Sequence, residues 1–154
     1  MTTLKVISCD CDPFRPVNAS FDHSDIVIHG KIIKASLRIE IERSKNYIDS
    51  LQKQKDKYWY TDRLVNEYQV VVIRGYKGVN TKDTIIIRTG EGGGDCGLIY
   101  KVNDRIIFYA TKIKNGDMDY SNSKLKLFWT SECTRTDFFD KKEEEEILSL
   151  IGSR

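Results

Sequence analysis

The chain is poor in the side chains on which most enzyme sites are built. Its 154 residues include only two histidines, His23 and His29, and neither lies in a metal-binding or triad motif. Ser, Asp and Glu are scattered as on a solvated surface. No residue is therefore assigned a catalytic role, an enzyme is not expected, and no cofactor is implied. Excess charge is equally scarce: 25 basic and 23 acidic residues leave a net +2, which supplies no electrostatic footprint for nucleic acid. Single-strand binding also needs a basic groove lined with stacking aromatics, and the even mixture of signs argues against one. Apolar runs are short, and none approaches the ~20 residues that cross a bilayer as a helix. The Gly90–Gly97 run lacks the Gly-Lys-Ser/Thr ending of a phosphate loop, and no helical segment follows it.

What the chain does have is four cysteines, at positions 9, 11, 96 and 133. Cys9 and Cys11 are too poorly placed in an extended segment to bond comfortably to each other. Four cysteines allow three pairings; with that one least favoured, two long-range frameworks remain, and spacing does not choose between them. A four-cysteine zinc site normally uses C-x2-C pairs, which a C-x-C and two singletons fit badly. Two disulfides fit better than a metal site or four reduced, buried thiols, and they imply an oxidising compartment: an exported protein, secreted or in the cell envelope. Each bridge closes a loop of roughly 90–120 residues, with a ceiling near 4.5 kcal/mol apiece in the chain-entropy account. Met1–Ser8 is too short for a complete secretory leader and is taken as a leader remnant or a disordered tail. Val6-Ile7-Ser8-Cys9 has the look of a bacterial lipoprotein leader's end, where the cysteine is acylated. A lipid anchor there would consume the Cys9 thiol and orphan a cysteine downstream.

Along the chain, Ile26–Ile41 reads as one long strand, or two broken near Gly30, where a bulge is expected. Residues 42–62 are polar and form an insertion, a short helix or a solvated loop, leaving through Tyr58-Trp59-Tyr60. Such aromatics more often cover the edge of a core than stack on a base. Leu64–Tyr76 and Thr84–Thr89 read as a hairpin joined through Lys77-Gly78-Val79-Asn80. The glycines of 90–97 let the backbone turn tightly and carry Cys96 to its partner. Arg105–Lys112 is a fourth strand, 114–124 a loop, and Leu125–Thr130 a fifth strand delivering Cys133. Thr136 or Asp137 is expected to cap a terminal helix running through Leu150, with Glu143–Glu146 as its solvated face and Lys141 and Lys142 unfavourably near its positive end. Ile86, Ile107 and Phe108 are core candidates. Five strands, one late helix and no βαβ alternation predict an all-β fold, a five-stranded Greek-key OB-type barrel with a C-terminal helix. Composition alone also admits a β-sandwich. Residues 9–154 are taken as one domain carrying the 42–62 insertion.

The opening Cys9-Asp10-Cys11-Asp12-Pro13-Phe14-Arg15-Pro16, followed by Ala19-Ser20-Phe21 and Ser24-Asp25-Ile26, resembles the start of the tissue inhibitors of metalloproteinases. The resemblance continues through Tyr68–Gly78, Asp95-Cys96-Gly97, Arg105–Ala110 and Thr130–Thr136. It covers nearly the whole chain outside 42–62, and it is to the inhibitory N-terminal domain, as in a bacterial single-domain member. It implies a netrin-like, OB-type barrel with Cys9 bonded to Cys96 and Cys11 to Cys133. The family's third disulfide has no counterpart, because its first cysteine falls at Asp22. In that family the α-amine and carbonyl of the first cysteine chelate the protease's zinc, while the next side chain enters the specificity pocket. Carried over, Cys9 chelates, Asp10 fills the pocket, and Cys9, Asp10, Cys11 and Asp12 contact the protease. Cys9 can chelate a target's zinc only as the N-terminal residue, which here requires cleavage after Ser8, and a carboxylate at Asp10 is costly in an apolar pocket. The alternative is a cell-envelope or secreted protein–protein interaction module without inhibitory activity, contacting partners through 42–62 and its aromatic cluster. Asn18-Ala19-Ser20 matches a glycosylation sequon but carries no such meaning in a bacterium.

Overall fold

Branched aliphatic residues dominate the strands, and their arrangement follows from how many faces of each strand are buried. A computed structural model describes residues 11, 15–41, 62–92, 95–113 and 125–154. Within it β1 (Ile26–Ile41), β2 (Asp62–Lys77), β3 (Thr84–Gly90), β4 (Arg105–Lys112) and β5 (Leu127–Trp129) close into a barrel. The order is β1-β2-β3-β5-β4, with β4 returning to pair with β1. Every pairing around the ring is antiparallel except β3 with β5, which is parallel. This is the all-β, OB-type barrel expected from the sequence. A two-residue strand, β6 (Asp137–Phe138), adds to β4, and two α-helices, α1 (Val17–His23) and α2 (Lys141–Gly152), with a 3-10 turn at Glu132–Thr134, complete the described elements.

β4 shows why periodicity fails at the centre of this fold. Ile106, Phe108 and Ala110 point into the barrel with Ile28, Val70 and Ile87. Ile107 and Tyr109 point outward and are buried with Val17, Phe21 and Ile147, contributed by the two helices. A strand buried on both faces loses the alternation of a half-exposed one and reads as a continuous apolar run. The same holds for the first half of β1, where Ile26 and Ile28 face inward and Val27 faces the helices. The expected bulge lies at Gly30: the β1–β2 register shifts between His29 and Gly30. A Cβ on Gly30 would lie 2.4 Å from Val70 Cγ1, so only glycine lets β1 bend this closely over β2.

The expected hairpin forms between β2 and β3. Gly78 sits at φ +78°, and a Cβ there would meet the Asp25 carbonyl oxygen at 2.2 Å. The terminal helix differs from expectation. It starts at Lys141, and its N-cap is Asp140, whose carboxylate accepts from the Lys142 amide at 3.1 Å. Thr136 and Asp137 do not cap it, because Asp137 pairs with Ile107 in β6 and the Thr136 hydroxyl is engaged with β4. The Asp140 cap, with Glu143 and Glu144 in the first turn, offsets the two lysines at the positive end. Most of the 42–62 insertion, including Tyr58-Trp59-Tyr60, lies outside the described residues, as do 1–10 and the 114–124 loop.

Ile86, Ile107 and Phe108 are all buried. Phe108→Ala should cost about 3–5 kcal/mol and Ile86→Ala or Ile107→Ala about 2–5, measured by denaturant unfolding. Ile99→Ala, at a side chain 71% exposed, should stay within about 0.5 kcal/mol.

Candidate functional site

The cysteines gather at one rim of the barrel, where the chain leaves regular pairing. β4 pairs with β5 through Thr111 and Lys112 and with β6 through Ile106 and Ile107. Between them the chain makes an excursion over 130–136, and the backbone of Tyr109 has no strand partner on that side. Threonine hydroxyls supply it. Tyr109 N donates to Thr136 Oγ1 at 2.9 Å, and Thr130 Oγ1 donates to Tyr109 O at 2.9 Å. Thr130 and Thr136 Oγ1 lie 2.7 Å apart, and Thr134 Oγ1 donates to the Ser131 carbonyl at 2.8 Å. The buried backbone groups are thus satisfied although the wall is interrupted. The excursion is free to project as a 3-10 turn, Glu132–Thr134, with Cys133 exposed on it.

Opposite this turn stands the loop after β3. The Asp95 carboxylate accepts from the amides of Glu91 at 2.8 Å, Gly92 at 2.9 Å and Gly97 at 3.1 Å. Gly97 is obligatory, since a Cβ there would lie 2.2 Å from the Gly90 carbonyl. Cys96 adopts φ +58°, and its carbonyl accepts from Glu132 N at 2.9 Å. That bond joins the two loops.

Cys11 is bonded to Cys133, with 5.2 Å between their Cα atoms. Cys96 is also in a disulfide, and its Sγ lies 3.9 Å from Cys133 Sγ. Sulfurs already in disulfides carry no proton, so this approach is a packing contact. The three Sγ atoms of Cys11, Cys96 and Cys133 fall within 4.8 Å of one another, yet none is free to serve as a thiolate ligand. Cys9, Asp10 and Asp12 lie outside the described residues. Beside this rim Ile99, whose side chain lies next to Gly92, is 71% exposed.

The segment following Cys11 is held by side chains whose role the sequence did not disclose. Arg135, at φ +67°, donates from NH1 to the Arg15 carbonyl at 3.2 Å. Its Nε and NH2 bind both oxygens of Glu143, at 2.7 and 2.9 Å, and Tyr109 OH donates to Glu143 Oε1 at 2.8 Å. Burial, reinforced by the Glu143 carboxylate, pushes the Tyr109 phenol far above its ordinary range, so it remains a donor. Glu144 in turn accepts from Tyr76 OH and, at 3.1 Å, from Arg74 NH1. Half of the expected solvated acidic face is therefore partly buried and bonded, because the helix lies on two tyrosines of the sheet. Glu145 and Glu146 are exposed as expected. An Asp four residues after Glu91 and two before Gly97 was the only local hint of the Asp95 loop; for Arg135 and Glu143 no local signal exists.

Asp22, where the resemblance would have placed a cysteine, pairs with Arg154 at 2.6 Å. Both side chains are about half exposed, so the link is worth about 0–1 kcal/mol, not a disulfide's worth. Lys77 Nζ donates to the Phe21 carbonyl at 2.7 Å, closing the C-terminal end of α1.

The histidines have structural surroundings. His23 Nδ1 contacts the Ala19 carbonyl at 2.8 Å on the exposed end of α1. His29 is buried, stacked on Phe139 with ring centroids 4.0 Å apart, and its Nε2 accepts from Arg105 Nε at 3.1 Å. Burial, then the Arg105 guanidinium, hold its pKa below the ordinary 6.5.

No protein-family model matches the chain, and no curated protein matches it either.

His29 sets an expected pH dependence. On unfolding, its imidazole regains the ordinary value of 6.5, whereas the folded imidazole stays neutral to lower pH. As pH falls through that value the unfolded state takes up a proton that the native state refuses, so stability declines. Urea midpoints should fall between about pH 7.5 and 5, and His29→Gln should flatten that slope. A separate loss below the ordinary Glu value of 4.5 should come from Glu144, whose bond from Tyr76 and then Arg74 hold it low. Glu144→Gln should weaken only that lower limb.

Proposed function

We propose that this is an exported, netrin-like OB barrel that binds another protein through its cysteine rim and, when processed to begin at Cys9, blocks a zinc metalloprotease. The observation that carries the reading is the Cys11–Cys133 bridge lying against Cys96. It anchors the Cys-x-Cys segment to two loops that are themselves bonded together. A recognition segment held in this way loses little conformational entropy on binding. The exposed Ile99 beside it suits a protein partner.

The chemistry is ligand substitution at the target's metal. A free α-amine and the carbonyl of Cys9 occupy the zinc position that would otherwise hold the attacking water, and Asp10 enters the neighbouring pocket. The domain acts by binding rather than catalysis, consistent with histidines that pack and cap. Bacterial origin and export belong to this same proposal; an acyl anchor at Cys9 is the competing state, because it consumes both the amine needed for chelation and the thiol left to pair with Cys96.

A second reading, an interaction module without inhibitory activity, is favoured by a different surface. Leu37 and Leu64 are exposed at 59% and 38%. The β1–β2 register sets them diagonally on one face, with Ile39 opposite Leu64 and Leu37 opposite Asn66. Residues 42–61 continue from the end of that ribbon.

Protein beginning at Cys9 with a free amine should inhibit at least one member of a zinc-endopeptidase panel. The 154-residue chain should be about a hundredfold weaker or more, since two metal–ligand bonds are lost. Asp10→Ser should strengthen inhibition of enzymes with apolar pockets, by removing a carboxylate that must be desolvated. Equal potency of the two lengths, or none from either, would put the interaction module first.

A further inference from the structure

Three sulfurs within reach of one another allow a bond to move as well as to hold. Cys96 Sγ touches Cys133 Sγ at 3.9 Å across two disulfides, on a rim where Cys133 is exposed and Cys96 and Cys11 are half-buried. The Glu132 amide to Cys96 carbonyl bond, which involves no sulfur, also holds the two loops side by side. We propose that the rim is a thiol–disulfide exchange site: one equivalent of a dithiol reductant moves the bridge to Cys96–Cys133 and releases the N-terminal segment.

The electrons balance along either route. If the dithiol reduces the bridge held by Cys96, two electrons and two protons pass to that pair, and the dithiol becomes a disulfide. The Cys96 thiolate then attacks Cys133 Sγ. A Cys96–Cys133 bond forms, the Cys11–Cys133 bond breaks, and the electron pair leaves on Cys11, which takes up the proton Cys96 released. If Cys11–Cys133 is reduced instead, the Cys133 thiolate attacks Cys96 Sγ and expels its former partner as a thiol. Both routes end in the same state, with Cys96–Cys133 bonded and both Cys11 and the former partner of Cys96 as thiols. Attack needs an accessible thiolate within contact distance of the target sulfur, and the rim supplies both. The new bridge also closes a much shorter segment than the old: Cys96 and Cys133 are 37 residues apart, Cys11 and Cys133 122. The consequence rests on the rim being the binding edge: exchange frees the Cys-x-Cys segment while the two loops stay covalently joined, switching that edge off without unfolding the barrel.

The test reads bonds and not inhibition, so it stands apart from the reading of the rim as an inhibitor. The full 154-residue protein is treated with one equivalent of dithiothreitol, trapped with N-ethylmaleimide, and mapped by non-reducing peptide mass spectrometry, with near-ultraviolet circular dichroism recorded before trapping. The expected product is a Cys96–Cys133 peptide pair with alkylated Cys11 and a native dichroism signal. In Cys9→Ser/Cys96→Ser, where no third thiol remains, the same treatment should give alkylated Cys11 and Cys133 with no rearranged bond. A Cys9→Ser/Cys11→Ser variant should oxidise to an intramolecular Cys96–Cys133 bridge. Cys96 alkylated with Cys11–Cys133 intact, Cys11 and Cys133 both alkylated in the unmodified protein, scrambled pairings with loss of the dichroism signal, or failure of the Cys9→Ser/Cys11→Ser variant to form the bridge would each overturn the proposal.

Discussion

Tyr109 is the residue on which the barrel, the helices and the rim jointly depend. Its ring packs between sheet and helices, its backbone meets two threonine hydroxyls where strand pairing stops, and its phenol binds Glu143. Through the threonines it sets the start of the excursion that carries Cys133. Through Glu143 and Arg135 it reaches the Arg15 carbonyl, and so the segment that begins at Cys11. One residue on a central strand, through its backbone at one end and its phenol at the other, thereby positions both ends of the Cys11–Cys133 bridge. A disulfide forms readily only when its two cysteines are already near their final separation.

The charged residues of α2 act in the same direction but with unequal weight. Glu143 meets Arg135 through two bonds with both partners mostly buried, the geometry in which an ion pair is strongest and the loss of one partner leaves a stranded charge. Arg74 and Arg154 are about half exposed in their pairs, where water screens most of the attraction. Glu143 therefore fixes how α2 lies on the sheet, and Asp22–Arg154 adds little. The helix has no bonded cysteine to secure it, and burial of Ile147 among Val27, Ile107 and Tyr109 takes that part.

The strands were legible because each carries its own signal. Runs such as Ile26–Ile28 and Ile106–Ala110 are apolar on both faces, and the Gly30 bulge and the Gly78 turn are marked by residues that only those backbones favour. The rim was legible in part: a C-x-C, a Cys-Gly after glycines and a Thr-rich tail all converge there. What the sequence could not reveal were contacts between distant parts. Thr136 has the local character of a helix cap, yet its hydroxyl is taken by a strand 27 residues earlier, so the cap passes to Asp140. The Glu143–Glu146 run looks solvated, because nothing local announces that Tyr76 and Tyr109 lie beneath its first two members. α1, beginning after Pro16, has no side-chain cap and only two helical turns; packing of Val17 and Phe21, not propensity, holds it.

The division of labour between packing and covalent bonds follows from the same geometry. Among the described residues neither apolar cluster includes a cysteine, and both are built from aliphatic and aromatic side chains. The rim loops have the opposite composition, glycines, Asp95 and threonines, with few apolar groups to bury. Burial stabilises in proportion to apolar area, so such loops must be held by hydrogen bonds and by sulfur. The Cys11–Cys133 bridge spans 122 residues, and so it also restricts the unfolded chain as a whole. Its loss therefore lowers the stability of the entire domain while leaving the packing of the barrel as it was. The order of the rim, in contrast, answers directly to the state of its sulfurs.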